Sequence, residues 1–238
     1  MRSFLRKIVY HFPIALTKNI QYDRQTKKVM EKWCKKDSNC LDIGAHKGEV
    51  LDEMLKLSPN GSHYAFEPIP YLFKALAQKY TNCTVLNLAL SNEKGQVEFQ
   101  WVKSNPAYSG LRKRTYARSH EEIVQIKVAT DRLDDVLPSG HQVDFIKIDV
   151  EGGEYAVLSG AESTITNWKP MIVFEHGLGA ADCYGVSPEM MFELLVGKYG
   201  MSIFTLYGKL KNRKQLNKEE FVQLFYQGKE YYFLACYE

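Results

Sequence analysis

The run LDIGAHKGEV at residues 41–50 limits what this chain can fold into more than any other segment. An apolar stretch ends at Asp42, glycines follow at 44 and 48, and a helical pattern begins directly behind them. A backbone that turns sharply from strand to helix with a ligand against it needs residues without a side chain in the way. Downstream, short apolar runs alternate with longer helical patterns, the signature of βαβ units on a parallel sheet. Strands are expected at 40–43, 63–66, 84–88, 144–148, 171–175, 202–206 and 231–236. Helices are expected at 49–57, 70–79, 154–158 running on towards 166, and 188–199. For the last of these, Ser187 caps the start, Pro188 fits the first turn and Gly200 ends it.

Two more β-like runs, 96–102 and 123–128, lie between the third and fourth parallel strands and flank the polar loop KSNPAYSGLRKRTYARSH. A loop of that length inside a compact domain is usually functional or mobile, and its expected place is over the mouth of the site. The charged segment GKLKNRKQLNKEE, between the last two strands, reads as a solvated β-hairpin excursion.

At 45% hydrophobic and 25% charged over 238 residues, the chain can bury the core of one catalytic-size domain. No stretch approaches the roughly 18 uninterrupted apolar residues of a membrane span. The basic opening lacks the cleavage pattern of a signal peptide. Five scattered cysteines with no C-x-x-C pair argue against a zinc or redox centre and suit a reducing, cytoplasmic setting. The net charge of +3 hides an asymmetry, because residues 1–36 carry ten of the 31 Lys/Arg and only two of the 28 Asp/Glu. The expected division is therefore a basic N-terminal helical arm, 1–36, and a catalytic domain, 37–238, with its insertion at about 96–128. Such an arm suits weak contact with a membrane surface, a nucleic acid or an acidic partner. The favoured reading is a solvated helix face packed across the domain.

Glycine spacing separates two cofactor classes. A dinucleotide site wants G-x-G-x-x-G, whereas this turn is G-x-x-x-G behind an acidic residue. Glu67 in HYAFEPIP lies nineteen residues past Gly48, where a carboxylate accepts the ribose hydroxyls of an adenosine ligand in either class. Hydrolase elbows, zincin helices and phosphate-loop motifs are absent from the sequence.

The segments DIGAHKG, FEPIP, NLALSNEKG, TDRLDDVL and IKIDVEGGEYAVLSGA, in this order across residues 40–175, resemble the successive motifs of the FkbM-type methyltransferases. The resemblance implies an α/β, Rossmann-like class I methyltransferase fold: a mostly parallel seven-stranded sheet with helices on both faces, an antiparallel last strand and a small β insertion after strand three. It also implies an S-adenosylmethionine-dependent enzyme that methylates a hydroxyl, often on a sugar or a polyketide-type natural product. Asp42 is then expected near the methionine end of the cofactor, with Gly44, Ala45 and Gly48 as its loop and Glu67 and Pro68 at the ribose. Asn87 and Ala89 fall beside the adenine. Position 46, commonly asparagine in the family, is histidine here, and His46 can still donate a hydrogen bond to the cofactor carboxylate.

Methyl transfer asks an enzyme to position two reactants and to remove a proton from the acceptor. Asp149, followed by Gly152–Gly153, is the first candidate for the functional carboxylate, with Glu151 beside it. Glu175 and His176 end the next strand, and His176 is a candidate base, although neighbours on a strand point to opposite faces. These carboxylates permit a divalent ion without demanding one. Glu154 suits a helix start as well as a site. Tyr108, Ser109 and Arg112 in the insertion are candidate acceptor contacts. A small-molecule or glycan acceptor is expected, and nucleic-acid base methylation is a poor fit, because DVEG stands where an N/D-P-P-Y/F tetrapeptide is needed. Two other readings stay open: a nicotinamide-dependent oxidoreductase on the same sheet, and a catalytically silent S-adenosylmethionine-binding module.

Overall fold

The computed structural model describes residues 17–113 and 121–238. The start of the basic arm, with any membrane-facing part, and the tip of the insertion loop lie outside the described residues.

The strands are β1 (Cys40–Ile43), β2 (Tyr64–Phe66), β3 (Thr84–Leu86), β4 (Ala89–Leu90), β5 (Gly95–Val102), β6 (Ile123–Asp131), β7 (Phe145–Ile148), β8 (Met171–Glu175), β9 (Ser202–Thr205) and β10 (Tyr232–Cys236). Seven of them form one sheet in the order β3-β2-β1-β7-β8-β10-β9, parallel except for β10, which runs against both neighbours. This is the expected class I methyltransferase architecture. The inserted strands make a second sheet, β4-β6-β5, in which β5 and β6 pair from Gly95↔Thr130 to Val102↔Ile123.

Around the sheet lie α1 (Lys18–Trp33), α2 (Glu49–Leu57), α3 (Pro70–Lys79), α4 (Leu133–Val136), α5 (Glu154–Ser159), α6 (Glu162–Trp168), α7 (Pro188–Phe192), α8 (Leu206–Leu210) and α9 (Lys218–Tyr226). Helix α7 passes into a π-helical turn, Glu193–Lys198. Side-chain alternation splits the core into two layers. Leu41, Ile43, Ile146, Ile148, Ile172 and Phe174 pack on the side of Val157, Ile165, Met191 and Phe221. Cys40, Phe145, Val173 and Leu234 pack on the side of Val29, Met30, Leu51 and Leu206.

The basic arm therefore contributes a wall of the domain. Helix α1 buries Tyr22, Gln25, Thr26, Val29 and Met30 at the i, i+3, i+4 spacing of one helix face. Its cations stay at the rim, with Lys27 bonded to Glu53 at 2.9 Å and Lys32 to Asn212 at 3.2 Å.

Two expectations are corrected. The segment GKLKNRKQLNKEE is not a β-hairpin excursion: it finishes α8, turns at Asn212 (φ +51°) and starts α9. Asn217 and Glu220 form a reciprocal capping box, and Phe221 and Phe225 behind it are buried. The sequence NKEEF carried that signal, an N-cap residue three before a glutamate and an apolar run. The long helix expected from 154 onwards is also broken, at Gly160. A Cβ there would lie 2.1 Å from the Ser91 carbonyl oxygen, so the chain passes close against the strand-three connection.

Candidate active site

Strand order reverses at β1 and β7, and ligands of such sheets lie in the crevice beyond the carboxyl ends of those strands. The turn leaving β1 is left-handed at Gly44 (φ +81°), His46 (φ +48°) and Gly48 (φ +79°). Gly44 and Ala45 both donate their N–H groups to the Phe66 carbonyl at 3.0 Å, which ties the turn to the end of β2. Gly44 also abuts β7: a Cβ there would lie 1.9 Å from the Asp149 carbonyl oxygen. At Gly48 a Cβ would meet the Tyr80 hydroxyl at 2.4 Å, and that hydroxyl donates to the Gly48 carbonyl at 2.9 Å. Histidine at position 46 has a backbone explanation, since asparagine and histidine are both enriched at left-handed φ.

The His46 N–H donates to one Glu67 carboxylate oxygen at 2.8 Å, and the Ile69 N–H donates to the other at 2.9 Å. Glu67 is 4% exposed, and burial pushes its carboxyl up to about 7 against the pull of those two amides. Each oxygen keeps a further acceptor position. The Asn87 amide donates to the carbonyls of Glu67 and Pro68, both at 2.9 Å, and so braces this loop from below. Ala89 packs with Ile69, Leu72, Phe99 and Val128 beneath the insertion, apart from the turn.

On the catalytic side, alternation along β8 separates the two candidates that end it. His176 follows the Phe174 face: its ring lies 4.8 Å from Phe225 and 6.0 Å from Phe221, and it is 1% exposed. Burial depresses the imidazole to about 4. Neither ring nitrogen has a hydrogen-bond partner among the described residues. An imidazole enclosed among phenylalanines has no path by which to pass on a proton. Glu175 shares its face with Asp149, and carboxylate oxygens of Asp149, Glu151 and Glu175 lie within 4.8 Å of one another. That spacing would admit a divalent ion. It does not require one, because Asp149 Oδ2 already accepts the Tyr232 hydroxyl and pairs with Lys147.

The turn after Asp149 is tightly held. Glu151 is left-handed (φ +60°), and a Cβ at Gly152 (φ +107°) would lie 2.6 Å from the Ala180 carbonyl oxygen. Glu154, 1% exposed, accepts the N–H groups of Val150 (2.9 Å) and Gly152 (3.2 Å), so its role is to brace the turn.

Several residues at the site were not singled out by sequence reasoning. Lys147 stands opposite Asp42 in the β1–β7 register and is buried. Tyr232 pairs with Glu175 across β10 and β8 and stacks on Tyr22 of α1 at 5.1 Å. The signal for Lys147 was present: a single charge inside FIKI, matched by the single charge inside LDI. The insertion reaches the same mouth. A Cβ at Gly110 would be 3.4 Å from the Glu151 carbonyl oxygen, and the Arg112 N–H donates to the Tyr184 hydroxyl at 3.0 Å.

Among solved structures, the fold resembles a methyltransferase FkbM from Methylobacillus flagellatus KT, with a TM-score of 0.52 and 14% identity. That match covers 85% of this chain, while the chain spans only 44% of the other. Among curated proteins, the chain is 28% identical over 172 residues to the 2-O-methyltransferase NoeI of Sinorhizobium fredii, covering 63% of this chain and 67% of that one. No helix among the described residues is long and apolar enough to cross a membrane. The family model of the methyltransferase FkbM domain matches residues 42–198, from the buried aspartate of β1 to the end of the π-helical turn, and the chain belongs to that family of methyltransferases.

Proposed function

We propose that this methyltransferase uses S-adenosylmethionine to methylate a hydroxyl of a sugar, glycan or natural-product small molecule. The observation that carries the reading is the abutment of Gly44 on Asp149, which brings the glycine turn and an acceptor-facing carboxylate together at the switch point of the sheet. The residues fit the cofactor: the left-handed turn, packed by Gly44 against Asp149 and by Gly48 against Tyr80, ends β1 at the switch point, and Glu67 keeps acceptor capacity for a ribose diol. Asp42, Gly44, Ala45, His46 and Gly48 would hold the amino-acid end, with Glu67 and Pro68 at the ribose and Asn87 bracing their loop on the adenine side.

S-adenosylmethionine supplies, when bound, an electrophilic methyl group. Asp149 orients the acceptor hydroxyl and takes its proton through Oδ1, because Tyr232 and Lys147 both hold Oδ2. Glu151 and Glu175 line the same mouth, and the insertion at Gly110–Arg112 forms its far wall and selects the acceptor. Hydroxyl rather than amine as acceptor is supported by the 2-O-methyltransferase relative.

Calorimetry with S-adenosylhomocysteine and NAD tests the cofactor: the former is expected to bind and the latter not to. Glu67→Ala is expected to weaken S-adenosylhomocysteine about 100-fold, for loss of two charge-assisted hydrogen bonds. A hydroxyl acceptor screen read by mass spectrometry tests the chemistry, and binding without methyl gain on any acceptor would favour a silent binding module.

A pH dependence follows from Glu67. Ribose hydroxyls donate to the ionised carboxylate, so the ligand favours that form and binding releases a proton. Affinity for S-adenosylhomocysteine is expected to fall as pH drops through about 7, by up to about tenfold per pH unit. Titrations in buffers of differing ionisation enthalpy would reveal the proton. A flat profile in the wild type, or the same slope in Glu67→Gln, would remove Glu67 from the ribose site.

A further inference from the structure

We infer that Lys147 is a positioning residue that locks the cofactor turn to the end of β7, an inference that rests on the proposed cofactor. Its ammonium is buried at the meeting point of three oxygens: the Gly44 carbonyl at 3.0 Å, Asp42 Oδ1 at 3.4 Å and Asp149 Oδ2 at 3.7 Å. The ammonium donates a hydrogen bond to the Gly44 carbonyl and makes ion pairs with the two carboxylates. Asp42 lies directly opposite Lys147 in the strand register and is 1% exposed. Burial alone would push the lysine down, but Asp42 and Asp149 outweigh it and hold the group up, so it stays charged.

The placement gives the lysine a task beyond neutralising a buried aspartate. Ionic pairing needs Asp42 alone, whereas the shortest contact is to the carbonyl of Gly44, the residue whose backbone touches Asp149. One side chain therefore sets both the height of the glycine turn and the direction of the Asp149 carboxylate. Tyr232 donates to the same carboxylate oxygen and is itself stacked on Tyr22. The turn and the carboxylate move as one unit because Lys147 joins them.

The glycine turn serves the amino-acid end of the cofactor and Glu67 the adenosine end, so removing Lys147 has to separate two ligands. The test is calorimetry on the full chain with S-adenosylhomocysteine, which carries the amino-acid tail, and with 5′-methylthioadenosine, which lacks it. In K147M, affinity for S-adenosylhomocysteine is expected to fall about 10- to 100-fold, while affinity for 5′-methylthioadenosine stays within about threefold. A merely structural lysine would weaken both ligands alike or neither, and either result overturns the inference. Should K147M not fold, K147Q, which retains an amide donor without the charge, goes through the same pair of titrations: a selective loss of S-adenosylhomocysteine supports the inference, and an equal change in both ligands overturns it. Failure of the wild-type protein to bind either ligand would instead overturn the cofactor reading.

Discussion

Gly44→Ala is expected to abolish measurable S-adenosylhomocysteine binding and to lower the melting temperature by about 5–20 °C, the larger of the two stability effects a glycine pair can show here. Two costs add at this position. The backbone is left-handed (φ +81°), where a side chain costs about 1–3 kcal/mol. The new Cβ would lie 1.9 Å from the Asp149 carbonyl oxygen, a backbone atom that can move only by displacing β7 from β1, at about another 1–3 kcal/mol. For a chain of this size each kcal/mol lowers the melting temperature by about 2–4 °C. Gly140→Ala is the control: its φ is +78°, yet a Cβ there meets nothing within 4 Å. It should show the strain alone and leave ligand binding intact. Calorimetry and thermal melts on both variants measure the difference, and equal melting shifts with binding retained in Gly44→Ala would mean that the turn and β7 are not in contact.

Much of this framework was legible because it is local. Strands β1 and β8 begin and end where their apolar runs do, and Ser187 caps α7 with its hydroxyl, accepting the Met190 N–H. The opposite facing of Glu175 and His176 follows from strand alternation, although only the packing of Phe221 and Phe225 shows that the histidine's side is closed. What the sequence withheld depends on sheet order. Lys147 reaches the Gly44 carbonyl across 103 residues, and Tyr232 reaches Asp149 across 83. No periodicity in one strand reports which strand lies beside it. For α1 the favoured reading, a solvated helix face packed across the domain, matches the structure: its charges dominate the composition, while five uncharged residues on one face are buried beside the site. The missed helix α9 is a different failure, since its capping box was local and readable, but was outweighed by the charge density in front of it.

Asp149→Asn is expected to cut methyl transfer about 10²- to 10⁴-fold, the span that a positioned general base contributes, while S-adenosylhomocysteine affinity stays within about threefold. The separation of the two effects follows from the geometry. Asparagine keeps the size of the side chain, and the backbone N–H of residue 149, which donates to the Ile43 carbonyl at 3.0 Å, is unchanged, so the glycine turn keeps its support. What is lost is a carboxylate oxygen able to take the acceptor's proton. Tyr232→Phe should give a smaller loss in turnover, about tenfold, because it frees the carboxylate to turn without removing it. Rates are measured with a labelled methyl donor on whichever hydroxyl acceptor the screen identifies, with melting temperatures recorded for each variant. Wild-type turnover by Asp149→Asn would remove Asp149 as the base and leave Glu151 and Glu175 as the carboxylates at the mouth. A loss in Tyr232→Phe as deep as that of Asp149→Asn would instead mean a relay, in which the tyrosine hydroxyl takes the acceptor's proton as it gives its own to Asp149, since burial and the Asp149 carboxylate keep that hydroxyl protonated.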